Sequence, residues 1–149
     1  MKWQETGEVP CPVARSLSVI GDRWTLLVIR NAFFGMSRFD QFQRNLGVTR
    51  HVLTERLNRM VECDILTKVL YQQRPPRYEY QLTDKGRDIY PILMTLTAWG
   101  DKWMPLQQGA SLFFRHKECG KIFTPILHCS ECGEAAGVET VMPVRSESV

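Results

Sequence analysis

The feature that most constrains the fold is a change in apolar period at Cys63 and Asp64. Before this point apolar residues recur at helical spacing, and after it they alternate on both sides of a Pro-rich turn at residues 74–77. The helical set is Leu53, Leu57, Met60 and Val61, and the alternating set is Ile65, Thr67, Val69, Tyr71, Tyr78, Tyr80 and Leu82. The pattern predicts an amphipathic helix followed at once by a β-hairpin with a basic tip.

Three further helices are predicted upstream. Apolar runs place the first over residues 13–20 and the second over residues 24–34, and a third runs from a Ser37 cap to Gly47. The link at residues 46–49 is short and contains glycine, as the turn of a helix-turn-helix requires. The predicted fold is α+β, mainly α: a winged helix-turn-helix.

Beyond the hairpin we expect one long helix, capped at Thr83 or Asp84 and running to about Gln107, with Pro91 bending its first turns. It carries more large apolar residues than a small winged domain needs for its own core, which predicts a dimer interface. The interface residues are Leu93, Leu96, Trp99 and Trp103. The expected domains are the winged helix with this terminal helix, residues 10–108, and a tail containing Cys and His, residues 109–149.

Positive charge is concentrated in residues 21–80, with ten Lys and Arg against six Asp and Glu, although the net charge of the chain is only +3. A polar helix face alone is usually just solvated. Here it stands in order with a helix-turn-helix and a basic hairpin, which favours binding in the major groove of double-stranded DNA. The predicted contacts are Arg38, Thr49, Arg50, His51, Thr54, Asn58, Arg59, Arg74 and Arg77.

Several motifs in fixed order resemble the HxlR-type transcriptional regulators of the MarR-like superfamily, over roughly residues 10–103. They are CPV at 11–13, IGDRWTLLVIR at 20–30, RFD at 38–40, LTERL at 53–57 and YEYQLTDKG at 78–86. The resemblance implies a sequence-specific regulator that is a homodimer, with the helix from Thr49 to Glu62 as its recognition helix and the terminal helices paired.

The same resemblance implies a redox role for Cys11, because some family members sense oxidants or electrophiles through a cysteine at this place. A cysteine near a helix N-terminus also gains stabilisation as the thiolate. The alternative is that Cys11 is a small buried hydrophobic residue.

The tail contains a His-x-x-Cys pair and a Cys-x-x-Cys pair, formed by His116, Cys119, Cys129 and Cys132. Tetrahedral zinc accepts one imidazole nitrogen and three thiolates, so the pairs predict a structural zinc site. His128 is an alternative to His116. The competing interpretation is a tail whose cysteines are reduced or joined as a Cys129–Cys132 disulfide.

The sequence has no apolar run long enough to span a bilayer and no signal sequence, so we expect a cytoplasmic protein with no membrane partner. The histidines lack a Ser or Asp motif beside them and no Gly-rich phosphate loop is present, so we do not expect an enzyme. The alternative function is a winged-helix protein-interaction module, regulated by a small ligand or zinc, without DNA binding.

Overall fold

The computed structural model describes residues 10–109 and 112–144. The chain forms two compact units, the first ending at Tyr90 and the second beginning at Pro91. The first contains α1 (Pro12–Ile20), α2 (Thr25–Phe33), α3 (Phe39–Leu46), α4 (Arg50–Glu62), β1 (Leu66–Gln72), β2 (Arg77–Leu82) and α5 (Asp84–Arg87). After it come α6 (Tyr90–Trp103), β3 (Phe114–Arg115) and β4 (Ile122–Phe123). The predicted order of four helices followed by a hairpin is confirmed.

The core of the first unit is formed by α2, α3, α4 and the base of the hairpin. Its largest fully buried side chains include Ile29, Phe42, Leu53 and Leu57. Each such side chain contributes about 1.5–3 kcal/mol by leaving water. The core therefore fixes the angle between α3 and α4.

One polar side chain is buried among these apolar ones. Asn31 is completely inaccessible, and its Nδ2 donates to Oδ1 of Asn45 at 2.8 Å. Its own Oδ1 accepts from Nε and Nη2 of Arg30, at 3.1 and 2.9 Å. The buried amide thus links α2 to α3 without leaving its polar atoms unpaired.

The turn between α3 and α4 has the predicted chemistry. Gly47 ends α3 with φ of +63°, a left-handed conformation that favours glycine. The side chain of Thr49 caps α4 by accepting from the N–H of Val52 at 3.4 Å. The predicted Ser37 cap of α3 is wrong, since Arg38 is the N-cap and the Gln41 side chain accepts from the N–H groups of both residues.

The prediction of one helix from residue 84 to about residue 107 is also wrong. The helix is interrupted after Arg87, begins again at Tyr90 and ends at Trp103. Pro91 explains the interruption, because its ring excludes the carbonyl four residues earlier and it has no N–H to continue the ladder. At the second position of α6 the missing N–H costs nothing.

The hairpin is antiparallel, with Leu66 opposite Leu82 at its base and an irregularity between Leu70 and Gln72. The N–H of Tyr80 donates to the carbonyl oxygen of Ser37 at 2.7 Å, and Arg38 forms an isolated bridge with Glu79. The chain entering α3 therefore pairs with β2 as a short third segment of the sheet, and it holds the wing beside the helix-turn-helix.

The helix α1 has no buried residue. It is tied to α4 instead, because Nη2 of Arg59 donates to the carbonyl oxygen of Ser18 at 2.8 Å. Just after α1, Oδ1 of Asp22 lies 3.6 Å from Nε of Arg56 and accepts from the N–H of Thr25, the first residue of α2, at 3.1 Å. Two arginines of α4 therefore anchor the N-terminal part of the described chain.

Candidate nucleic-acid interface

The helix α4 has one apolar and one polar face. Leu53, Leu57 and Met60 are buried, whereas the opposite face carries the exposed residues Arg50, His51, Thr54 and Asn58. The Thr54 hydroxyl donates to the Arg50 carbonyl oxygen at 2.8 Å, and its oxygen keeps free acceptor capacity. The face predicted from sequence is thus available, with donors and acceptors at successive turns.

A polar recess of about 550 Å³ lies between α3, the start of α4 and the wing. Its lining includes four arginines and one carboxylate, Arg38, Arg44, Arg50, Arg77 and Asp40. Arginine guanidinium groups match the geometry of phosphate oxygens and hold it through paired hydrogen bonds. The excess of positive charge makes the recess suitable for a phosphate group.

Aromatic rings orient two of these arginines. The guanidinium of Arg38 lies 4.6 Å from the ring centroid of Tyr71, and that of Arg50 lies 4.7 Å from the ring centroid of Phe39. Arg38 also pairs with Glu79, with 3.0 Å between Nε and Oε1. Part of the Arg38 charge is thereby compensated, whereas stacking on a neutral ring leaves that of Arg50 intact.

The wing tip presents Arg74 and Arg77, both exposed as predicted. The Gln72 side chain stabilises the tip by donating to the carbonyl oxygens of Arg74 and Pro75 at 3.2 and 3.1 Å. Lys68 is a further exposed cation on the wing, with Nζ 4.2 Å above the ring of Tyr78.

Sequence reasoning did not name Arg44 and Lys68 as surface cations, and it placed Arg59 on the polar face of α4. Both Arg44 and Lys68 belong to the basic segment of residues 21–80, but no local pattern indicates that Arg44 lines the recess or that Lys68 is exposed on the wing. Arg59 is half-buried and engaged with Ser18, so it anchors α1 rather than lying free on the polar face.

Tyr80 lines the recess from the side of β2 and is buried. Burial raises the pKa of its phenol, and the neighbouring Tyr78 adds to the increase. The neutral phenol is therefore the form that the folded hairpin stabilises.

The residues predicted to form a dimer interface differ in exposure. Leu96, Trp99 and Trp103 are exposed on α6, with Trp103 at 63%. Leu93 is already buried within the chain and has little surface left for a partner. In the second unit Trp99 and Trp103 also line a cavity of about 580 Å³ facing the β3–β4 segment, which the sequence did not reveal.

Cys11 is the N-cap of α1 and is half-buried, with no hydrogen bond from its side chain to the helix end. Its carbonyl oxygen accepts from the N–H of Arg15 at 3.0 Å. All five cysteines are free thiols. Cys11 therefore lies at the N-terminus of α1, where it is neither fully buried nor fully exposed.

The four predicted metal ligands lie in two turns of the tail, where Cys119 and Cys132 are exposed and Cys129 is half-buried. Over residues 10–109 and 112–144, no three His, Cys, Asp or Glu side chains lie close enough together to hold a metal ion. Backbone N–H groups of Cys132 and Glu131, followed by the Cys132 side chain, lower the pKa of the Cys129 thiol.

None of the helices in the described part of the chain has the length and apolar character needed to cross a membrane.

A helix-turn-helix, a polar-faced fourth helix and a basic wing define a winged helix-turn-helix protein of the DNA-binding regulator class. The model of HxlR-like helix-turn-helix proteins matches residues 19–108. The chain belongs to this family, and it is a transcriptional regulator of the helix-turn-helix type.

Individual relatives agree with this assignment. The uncharacterized HTH-type transcriptional regulator Rv3095 of Mycobacterium tuberculosis is 43% identical over 131 residues, covering 88% of this chain and 83% of the relative. The crystal structure of PA1607, proposed to be a transcription factor, has a TM-score of 0.83 and 31% identity, covering 95% of this chain and 99% of that one. These names describe regulators rather than enzymes, and they confirm the predicted fold class and family.

One further solved structure is named for a redox role. The redox regulator HypR in its oxidized form has a TM-score of 0.57 and 34% identity to this chain. The match covers 62% of this chain and 96% of that one.

Proposed function

We propose that the protein regulates transcription as a homodimer that binds double-stranded DNA at a specific sequence, with α4 in the major groove and the wing on the adjoining phosphate backbone. The observation that carries this proposal is the recess beside α4, where Arg38, Arg44, Arg50 and Arg77 converge. Convergent guanidinium groups next to an exposed polar helix face are what backbone positioning and base readout require.

The two surfaces have different tasks. Exposed His51, Thr54 and Asn58 read base edges, because their side chains offer donors and acceptors on the face opposite the core. Arg44 and Arg77 hold phosphates from the recess and carry no sequence information.

The test begins with selection of a preferred site from random duplexes, followed by affinity measurements at several salt concentrations. Asn58→Ala should weaken binding to the selected site by about 1–3 kcal/mol and leave non-specific binding unchanged. Arg44→Ala should weaken binding to all sequences and reduce the salt slope by about 1. Arg87→Ala is the matched control, because Arg87 is exposed but does not line the recess.

A protein that shows no salt-dependent binding to any duplex would contradict the proposal. The winged helix would then act as a protein-interaction module. Equal losses for Arg44→Ala and Arg87→Ala would contradict the assignment of the recess while leaving DNA binding itself intact.

Homodimerisation is supported by apolar surface on two helices. Val13 and Leu17 of α1 and Leu96, Trp99 and Trp103 of α6 are exposed. Large aromatic side chains contribute much of the energy of an interface when a partner covers them. Trp99→Ala should therefore shift sedimentation at micromolar concentration towards the monomer, whereas Asp101→Ala, on the same helix, should not. A parent protein that sediments as a monomer would contradict this part of the proposal.

Redox control through Cys11 is a second candidate function, favoured by the likeness to a structure named as a redox regulator. In such control the Cys11 thiolate attacks one oxygen of hydrogen peroxide, the O–O bond breaks, and a sulfenic acid forms with release of hydroxide. Because α1 is tied to α4 through Arg59 and Ser18, a change at Cys11 reaches the recognition helix.

The test is DNA affinity before and after mild peroxide treatment. Cys11→Ser should keep the affinity of the reduced protein and lose the response to peroxide, whereas Cys63→Ser, the control in the same unit, should keep both. A response that persists in Cys11→Ser would refute the role of Cys11.

A further inference from the structure

The tail contains a tight turn over residues 116–121 with a defined set of hydrogen bonds. The N–H of His116 donates to the carbonyl oxygen of Lys121 at 2.9 Å, and the N–H of Gly120 donates to the carbonyl oxygen of His116 at 2.8 Å. Gly120 has φ of +69°, which residues with a Cβ rarely adopt. The first and fourth positions of the turn, His116 and Cys119, carry metal-binding atoms.

A second turn over residues 129–134 repeats this geometry. The N–H of Cys129 donates to the carbonyl oxygen of Glu134 at 2.8 Å, and the N–H of Gly133 donates to that of Cys129 at 2.9 Å. Gly133 has φ of +76°. The first and fourth positions are again metal-binding, Cys129 and Cys132. Two turns of different sequence therefore share one backbone design and place ligand atoms at the same two positions.

The surrounding segment lacks a core that would explain two such turns. In residues 112–144 no side chain is buried. Its large apolar residues are instead largely exposed, with Ile126 at 70% and Val138 at 92%. Segments below about 40 residues usually need a disulfide, a metal or a partner to hold one structure.

We propose that the two turns bind one structural zinc ion through the imidazole of His116 and the thiolates of Cys119, Cys129 and Cys132. Zinc takes four such N and S ligands in a tetrahedral arrangement and, in a closed site, contributes directly to folding. Each thiol loses its proton on binding, so the site carries a net charge of −1. Lys117 and Lys121, in the first turn, add positive charge close by in the sequence.

The repeated geometry also decides between the two histidines. His116 holds the position in its turn that Cys129 holds in the other. His128 precedes its turn and has no counterpart in the first one, and its Nδ1 already lies 2.8 Å from the carbonyl oxygen of Gly133. His128 therefore supports the second turn, and His116 is the ligand.

Since no three ligand-type side chains within the described ranges are close enough to hold one ion, zinc must draw the two turns together over residues 124–128. The free energy of binding then becomes folding free energy of the tail. Adding zinc should protect the tail from limited proteolysis, and a chelator should reverse this protection.

The decisive experiment measures metal content in the purified, reduced, full-length protein after zinc supplementation and dialysis. We expect about one zinc per chain, and Co²⁺ in place of zinc should give the visible absorption of a tetrahedral thiolate site. Cys119→Ser and Cys132→Ser should each lose the metal. Cys63→Ser and His128→Gln are the controls and should retain it.

Loss of metal in the two serine variants also follows if they simply misfold, so a gain of function is needed. His116→Cys should keep one zinc and shift the Co²⁺ spectrum towards that of a four-thiolate site, whereas His128→Cys should leave the spectrum unchanged. Less than about one tenth of a zinc per chain in the parent protein, or zinc retained in both serine variants, would overturn the proposal. A Cys129–Cys132 disulfide that forms in the presence of zinc would overturn it equally.

Discussion

The contact between α5 and the start of β1 allows a stability prediction to be worked out in detail. Gly86 is buried, and a Cβ added to it would lie 2.2 Å from the carbonyl oxygen of Ile65 and 3.0 Å from Cδ2 of Leu82. The first distance is far inside van der Waals contact, and the atom approached is backbone. The Gly86→Ala variant must therefore move α5 away from the hairpin.

That movement has a second cost. The carbonyl oxygen of Ile65 accepts from both the N–H and the hydroxyl of Thr83, at 3.1 and 3.2 Å. Overpacking of this kind costs about 1–3 kcal/mol, and weakening a buried hydrogen bond adds roughly 1 kcal/mol. We expect Gly86→Ala to lower the free energy of unfolding by about 2–4 kcal/mol, or roughly 5–15 °C in melting temperature.

The measurement is urea unfolding followed by circular dichroism, at one fixed chain concentration because dimerisation changes apparent stability. Arg87→Ala is the matched control, since Arg87 is the exposed next residue of the same helix and should change stability by no more than about 0.5 kcal/mol. Equal stabilities for Gly86→Ala and the parent protein would refute the close approach of α5 to β1.

Three further predictions concern buried or bridging groups. Arg59→Met should keep the packing of α4 but lose the bond to Ser18, lowering stability by about 1 kcal/mol without changing base preference in a binding assay. Asn31→Ala should lower the free energy of unfolding by about 1–3 kcal/mol in urea unfolding, because Oδ1 of Asn45 and the guanidinium of Arg30 lose the amide that both contact. The folded-state pKa of Tyr80 is raised, so its contribution is complete below pH about 10 and is lost as pH rises through the folded pKa. Tyr80→Phe should therefore flatten the fall in stability above that pH in a pH series of urea unfolding, and an unchanged slope would count against the buried phenol.

Periodicity predicted α2, α3, α4 and the hairpin, because each buries one face against a single core. Gly47 and Thr49 were found from sequence since a helix end has local rules, a left-handed glycine and a side-chain cap. The same local rules suggested Ser37 as a cap. They failed there because the backbone of Ser37 is bonded elsewhere. The carbonyl oxygen of Ser37 accepts from the N–H of Tyr80 in the hairpin, and its N–H donates to the side chain of Gln41.

The candidate site was predictable in composition but not in arrangement. The exposed residues of α4 followed from the helical period alone. Arg44 joins the recess because the wing closes over α3, and Arg59 leaves the polar face because α1 lies against that side of α4. Both outcomes depend on tertiary contacts between distant parts of the chain, which no local pattern encodes.

The absence of buried residues in α1 has a consequence for hydrogen exchange. An isolated helix of nine residues is marginal in water, and α1 gains little from packing within its own chain. Its amide protons should therefore exchange with solvent through local fraying, whereas the amide protons of α2 and α4 should exchange only through global unfolding. If a second copy covers Val13 and Leu17, exchange in α1 becomes slower as the chain concentration rises. The protection of one short helix would then report assembly, residue by residue, in the intact protein.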